Sequence, residues 1–350
     1  MTEPLLRVDR MSEHFKIGNA ISRRSTLHAV DDMSFTVGER EIVAVAGESG
    51  SGKSTVARVL AKIYKPTSGE VYFEGRPLSA IRSRRERLRY SGLVPMVFQD
   101  PFSSFNPAFR VSHGVLRALK LHRPELTKDQ LFTEAVRVFD AVGLNPGAEV
   151  LQRFPHELSG GQRQRVGFAQ ALAMRPRLIL ADEPVSMLDV SIRIGLLNLM
   201  AQLRDEQGVS ILYITHDIAS ARYVADRLIV MYAGQIAEQG PVEDVLASPL
   251  HPYTQLLLSA VPDPRAELNV AAHTDRGEPP RVIDPTPGCR FRFRCPLAID
   301  VCHTQTPQLL PLAPGHDAAC HVAQAGATVP ARGPTPGTPG QPARETTTPE

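Results

Sequence analysis

Lys53 and Ser54 close a glycine-rich stretch, GESGSGKST (residues 47–55), in which Gly47, Gly52, Lys53 and Ser54 keep the spacing G-x-x-x-x-G-K-[ST], with Gly50 inside it. Glycine backbone can turn its N–H groups onto phosphate oxygens, and a helix opening near Lys53 adds the positive end of its dipole. In such a cradle Lys53 reaches β- and γ-phosphates, Ser54 offers a hydroxyl to Mg²⁺, and Ser49 and Thr55 add phosphate contacts. Two adjacent carboxylates, Asp182 and Glu183, follow an apolar run at residues 178–181. There they can divide labour, Asp182 holding Mg²⁺ through water and Glu183 polarising an attacking water. Gln99 and His216 likewise follow apolar runs, at residues 93–98 and 209–214. Polar groups at the carboxyl ends of strands line the active sites of parallel sheets.

The elements that must position these groups are legible as periodicities. Residues 41–46 read as a strand entering the cradle, and Val56, Val59, Leu60 and Ile63 as the buried stripe of the helix leaving it. Residues 93–101 read as a buried strand ending on Gln99. Between the strands lies a helical lobe, expected over residues 106–172. In it, Leu131, Ala135, Val138, Phe139 and Val142 mark one amphipathic helix, capped near Thr127 and stopped at Gly143. Ser159, Gly160, Gly161 and Gln162 precede a further helix expected from Arg163 to Met174. Serine with exposed N–H groups at a helix mouth makes a second anion site, while an ordinary N-cap by Ser159 accounts for the serine but not the glycine pair. Upstream, residues 5–8, 29–32 and 33–37 read as three short strands of an antiparallel flap, and residues 68–75 as a hairpin edge. Phe15 in the flap could stack on an adenine ring or simply pack a strand.

Composition narrows the class. A 350-residue chain has room for two domains, or one large one with an appendage. A formal charge of +2 implies no nucleic-acid partner. Five arginines between Arg82 and Arg89 lack interleaved aromatics and read as a solvated face. No apolar run reaches membrane-spanning length and no signal-peptide core opens the chain, so a cytoplasmic location is expected. The four cysteines, Cys289, Cys295, Cys302 and Cys320, fall within 32 residues, with gaps of five, six and seventeen. A reducing cytoplasm argues against disulfides, leaving reduced thiols, a zinc site or an iron–sulfur site, with His303 and His321 as spare ligands. Residues 326–350, rich in proline, threonine and glycine, cannot pack a core and are expected to be disordered.

The motifs GESGSGKST, VFQDP, LSGGQRQR, LILADEP, SMLD and ITHD, in this order, resemble the ATP-binding subunits of ABC transporters. Within that family PFSSFNP, RFPHELSGGQRQR, DEPVSMLDVSI, HPYTQLLLSAVP and GCRFRFRCPLAIDVC resemble the oligopeptide/dipeptide importer branch. The resemblance implies an α/β fold: a P-loop NTPase core with an antiparallel β subdomain, a helical subdomain and a small C-terminal cysteine-containing domain. The expected domains are residues 1–258 for ATP binding, 259–324 for the C-terminal domain and 325–350 for the tail. It implies ATP and Mg²⁺ at Lys53, Ser54, Thr55, Gln99 and Asp182, Phe15 against adenine, Glu183 as general base and His216 on the γ-phosphate. Ser159, Gly160, Gly161 and Gln162 would act on ATP held by a second, different ATPase chain. Two transmembrane permeases and an extracytoplasmic substrate-binding protein complete the implied importer, on the cytoplasmic face of the inner membrane. Cargo stays open among peptides, oligosaccharides and nickel chelates. The cysteine segment would, by the same resemblance, hold a [4Fe–4S] cluster. A soluble ABC ATPase of translation or DNA repair would bring two nucleotide domains or a long coiled coil, and this chain carries neither.

Overall fold

The computed structural model describes residues 3–18, 25–100, 105–259 and 280–326. In chain order the elements are β1 (Leu6–Ile17), β2 (Ser25–Val37), β3 (Ile42–Ala46), α1 (Lys53–Leu60), β4 (Ser68–Phe73), β5 (Arg76–Pro77), α2 (Arg84–Leu93) and β6 (Met96–Val97). Four helices follow, α3 (Ser112–His122), α4 (Lys128–Ala141), α5 (Gly147–Val150) and α6 (Gly160–Ala173). Then come β7 (Leu178–Asp182), α7 (Val190–Gln207), β8 (Ser210–Thr215), α8 (Ile218–Val224), β9 (Arg227–Tyr232) and β10 (Gln235–Pro241). The described chain ends with α9 (Val242–Ala247), α10 (Pro252–Ser259), α11 (Asp300–Thr304), β11 (Leu310–Ala313), β12 (His316–Ala318) and α12 (His321–Gln324).

The main sheet has eight strands in the order β11-β12-β10-β9-β3-β8-β7-β6. From β9 to β6 it is parallel. Its central strands read IVAVA, LILAD and SILYIT, and every residue in them is buried. Strands covered on both faces need such continuous apolar runs rather than alternation. A second sheet, β2-β1-β4-β5, is antiparallel throughout and carries the hairpin expected at residues 68–75.

Three expectations about elements are corrected. The flap is built from two long strands, not three short ones. Arg10 and Asp32, both at φ 48, sit at irregularities in the β1–β2 pairing, so the apparent turn at Asp32 is a bulge within β2. The strand expected over residues 93–101 shrinks to Met96–Val97, because Leu93 still belongs to α2 and β6 lies at the sheet edge with β7 its single neighbour. Helix α1 stops at Leu60: Lys62 turns to φ 60, and Ile63, expected on the buried stripe, is 55% exposed.

The helical lobe follows its sequence pattern more closely. Thr127 caps α4 in a reciprocal box with Gln130, Leu131, Ala135, Val138 and Phe139 form its buried face, and Gly143 at φ 75 follows its end. Helix α6 begins three residues before its expected start, with Ser159 as N-cap. The arginine-rich helix α2 is exposed at Arg84, Arg85, Arg87 and Arg89, as a solvated face should be.

The cysteine segment, expected as a small domain of its own, shares the main sheet: β12 pairs with β10 and β11 with β12. Phe291 enters the same core, 1% exposed, with ring centroids 5.2 Å from Tyr232 and 5.5 Å from Tyr253. Residues 260–279 and the tail from 327, where disorder is expected, lie outside the described residues. Truncating Phe291 to alanine is expected to cost about 3–5 kcal/mol of global stability, read by chemical denaturation. A loss confined to a separate early transition would show that the segment folds independently.

Candidate active site

The sheet register brings the cradle and the catalytic candidates to one rim. Ala46, the last residue of β3, pairs with Thr215 of β8, and Asp182, the last of β7, pairs with Ile214. The chain therefore leaves β3 into the cradle, β7 into Glu183 and β8 into His216 side by side. The cradle's backbone requires glycine. Gly47 adopts φ 154, and a Cβ there would stand 2.2 Å from the Met231 carbonyl oxygen; Gly52 adopts φ 102 and would meet the Ala29 oxygen at 2.2 Å. No side chain fits at either place.

Lys53 is 5% exposed and curls back over the loop, its Nζ donating to the carbonyls of Gly47 (2.7 Å) and Glu48 (2.9 Å). Burial lowers its pKa, while the carboxylates of Glu183, Asp182 and Glu48 work in the opposite direction. Ser54 Oγ donates to Asp182 Oδ1 at 2.9 Å. Burial raises the Asp182 pKa, the Ser54 hydrogen bond lowers it, and neighbouring Glu183 raises it further. A hydroxyl and a carboxylate held together beside a phosphate cradle are the hard oxygen ligands that Mg²⁺ prefers. Ser54 and Asp182 thus fit that ion, with Gln99 at the same rim.

Glu183 stands at φ 48, which turns its side chain out of the strand direction. One oxygen, Oε2, is the meeting point of the site: Gln99 Nε2 donates to it at 3.2 Å and His216 Nδ1 pairs with it at 3.1 Å. Gln99 is exposed and lies two residues past β6. The expected catalytic trio of Glu183, His216 and Gln99 is therefore one connected cluster.

Ser159 and Gln162 bond reciprocally across the first turn of α6, Ser159 Oγ accepting from the Gln162 N–H and Gln162 Oε1 from the Ser159 N–H. A cap thus explains the serine. Packing explains Gly161, where a Cβ would stand 2.3 Å from Ile192 Cγ2, but not Gly160, where one would stand 3.6 Å from Leu188 Cδ2. Among the described residues, the hydrogen bonds of Ser159 and Gln162 run within this turn and not to the cradle of the same chain. Phe15 is half-buried, with its ring edge-on to Tyr64 at 5.4 Å.

Other contributors were silent in the sequence. Buried Gln164 donates to the Phe98 carbonyl at 3.1 Å, tying α6 to the strand that carries Gln99. Arg193 of α7 pairs with Asp217 at 3.0 Å, and Asp217 caps α8 directly after His216. Tyr253 and Arg294 both reach Glu48 inside the cradle. Gln164, Asp217, Tyr253 and Arg294 fall inside motifs quoted above, but nothing in those motifs gives their partners, because each acts across 24 or more residues of sequence. His14, His28 and Asp31 also gather within 4.8 Å, but there Arg290 pairs with the Asp31 carboxylate.

The iron–sulfur expectation finds no support. None of the four cysteines forms a disulfide, and no three of their sulfurs lie within 4.8 Å of one another. A tetrahedral zinc site would need sulfurs about 3.8 Å apart, from Zn–S bonds of about 2.3 Å. Burial pushes the Cys289 thiol from 9.0 up to about 11, with the other three thiols adding to the rise, and burial raises Cys320 as well. This packing favours neutral thiols.

The chain is similar to known proteins over both halves. Residues 30–186 match the family described as ABC transporter, and residues 237–302 match the oligopeptide/dipeptide transporter C-terminal region. It is 41% identical to a Brucella ovis protein named for peptide import and ATP binding, over 91% of this chain and 98% of that one. The oligopeptide transport ATP-binding protein OppF of Bacillus subtilis is 42% identical over 77% of this chain and 87% of its own. Among solved structures, the dimeric ATP-binding cassette MJ0796 in a post-hydrolysis state with ADP and Pi superposes with TM-score 0.60 at 26% identity, covering 68% of this chain and 98% of that one. Clostridium perfringens CbiO1, part of the ABC transporter complex CbiONQ, matches at TM-score 0.60 and 26% identity, over 70% and 92% of the two chains.

Two outcomes follow from this geometry. Gly47→Ala should abolish binding of a fluorescent ATP analogue, measured by titration, because the new Cβ cannot coexist with the Met231 carbonyl. For Cys289, a folded pKa above the unfolded one means that its contribution is complete below about pH 9 and fades as pH rises towards 11. The denaturation midpoint of the wild type should therefore fall between pH 9 and 11 more steeply than that of Cys289→Ala; parallel profiles would contradict the burial of the thiol.

Proposed function

Since this chain belongs to the ATP-binding subunits of ABC transporters, and so hydrolyses ATP, we propose that its turnover drives import of peptides through partner permeases. The observation that carries the catalytic reading is the single oxygen of Glu183 shared by Gln99 and His216 at the mouth of the cradle. The peptide cargo rests on the C-terminal match over residues 237–302 and on the peptide-transport names of the relatives.

In this reading the N–H groups of the 47–55 loop and Lys53 hold the phosphates, with Ser49 and Thr55 at its mouth and Phe15 flanking adenine. Ser54, Asp182 and Gln99 would hold Mg²⁺, which when bound would supply charge neutralisation to the phosphates. Glu183 takes the proton of the attacking water as its oxygen bonds to the γ-phosphorus, and the bridging oxygen leaves with ADP. His216 fixes the Glu183 carboxylate from one side and Gln99 from the other. Ser159, Gly160, Gly161 and Gln162, which are not hydrogen-bonded to their own cradle, complete the site of a second ATPase chain, and that chain completes this one. Two permeases and an extracytoplasmic substrate-binding protein make up the rest of the machine, with this subunit on the cytoplasmic face of the inner membrane. Among the described residues no helix is long and apolar enough to cross a membrane.

Glu183→Gln is expected to keep ATP affinity while lowering hydrolysis about 10²–10⁴-fold, and to accumulate an ATP-bound dimer with its partner. Wild-type phosphate release from that variant would refute the assignment. In proteoliposomes carrying the full importer, ATP-dependent uptake of labelled peptides is expected; uptake of oligosaccharides or nickel chelates in their place would overturn the cargo.

A further inference from the structure

We propose that Arg294, in the cysteine segment, and Tyr253, on α10, are positioning residues for the phosphate cradle and act by immobilising Glu48, its second residue. Glu48 is engaged through each of its polar groups. Its carboxylate receives both terminal nitrogens of Arg294, Nη1 at 2.8 Å and Nη2 at 2.9 Å. Its backbone N–H donates to the Tyr253 hydroxyl at 2.9 Å. Its carbonyl accepts from Lys53 Nζ at 2.9 Å and from the Ser51 N–H at 3.2 Å. A shift of Glu48 therefore moves a carbonyl that Lys53 is bonded to.

The anchors are themselves fixed. Tyr253 is wholly buried against Tyr232 and Phe291, and the Arg294 guanidinium lies over the rings of Tyr232 (5.6 Å) and Phe291 (5.8 Å). The Arg294 side chain is 12% exposed and Glu48 25%, so the two-bonded pair is partly shielded from water and stronger than a surface contact. Arg294 immediately precedes Cys295, so the order of the cysteine segment is communicated to Lys53 through one residue. A segment with no catalytic group of its own thereby sets how well the cradle is formed before nucleotide arrives.

The inference rests on the assignment of Lys53 to the nucleotide phosphates. The test titrates the purified full-length chain with a fluorescent ATP analogue, comparing Arg294→Gln, Arg294→Lys, Glu48→Gln, the Arg294→Gln/Glu48→Gln double variant, Tyr253→Phe and Lys53→Ala. Arg294→Gln should weaken binding about tenfold, Arg294→Lys should restore part of the loss, and the double variant should be no weaker than the worse single one. Tyr253→Phe, which removes only the acceptor oxygen, should weaken binding about threefold, and it carries the test alone if Arg294→Gln fails to fold. Wild-type affinity in the folded Arg294→Gln or Tyr253→Phe chain, or independent losses that multiply in the double variant, would overturn the proposal. If Lys53→Ala also binds normally, the nucleotide-site assignment has failed instead.

Discussion

A buried ammonium is the constraint around which this molecule is arranged. Lys53 is 5% exposed, and an unpaired charge at that depth is untenable. It is tolerated because two loop carbonyls accept from it and three carboxylates, Glu183, Asp182 and Glu48, lie near enough to favour its charged form. That requirement fits a loop that closes tightly over the ammonium, with glycine at positions 47 and 52 because the Met231 and Ala29 carbonyls leave no room for a side chain. It also explains the placement of acids at the ends of β7. The same arrangement leaves a cation poised where phosphate oxygens would replace the carbonyls as partners.

The carboxylates can gather there because a parallel sheet delivers all of its strands to the same rim in the same direction. Two of the parallel strands at this rim, β7 and β8, carry Glu183 and His216 immediately past their ends, while their own residues are all buried. Stability and chemistry are thus separated along each strand. The residues that hold the sheet together are largely apolar, with the hydroxyls of Ser210 and Tyr213 satisfied by hydrogen bonds, while Asp182 closes the β7 ladder and Glu183 and His216 lie just past the strand ends.

Around this rim the structure uses long-range polar links rather than extra core. Gln164 joins the helical lobe to the Gln99 strand, Arg193 joins α7 to the cap of α8, and Arg294 with Tyr253 joins the C-terminal segment to the cradle. Most ion pairs elsewhere lie at the surface, such as Arg222–Glu243, where screening leaves them little energetic weight. Partly buried pairs occur both at the site, as Arg294–Glu48, and away from it, as Arg123–Glu134 in the helical lobe.

What the sequence alone determined is what local chemistry dictates. The cradle, the acid pair after residues 178–181, the histidine after residues 209–214 and the capped helix behind Thr127 all depend on neighbours within a few residues, so spacing and residue type suffice. What the tertiary structure decided depends on separation. The flap's apparent turn at Asp32 became a bulge, because pairing with β1 supplied hydrogen bonds that the short-range pattern could not foresee. The stretch leading to Gln99 kept only two ladder residues, because it became an edge strand between a helix and solvent. The cysteine segment extends the main sheet because β12 pairs with β10, and its Phe291 packs against the touching rings of Tyr232 and Tyr253. The spacing that a single metal ion needs is a property of three-dimensional convergence, and no three of the four sulfurs come within 4.8 Å of one another. The convergence of Gln99 and His216 on one oxygen of Glu183, and of Arg294 and Tyr253 on Glu48, required the sheet register and the packed core. Groups 33 to 246 residues apart meet only when folding has ordered everything between them.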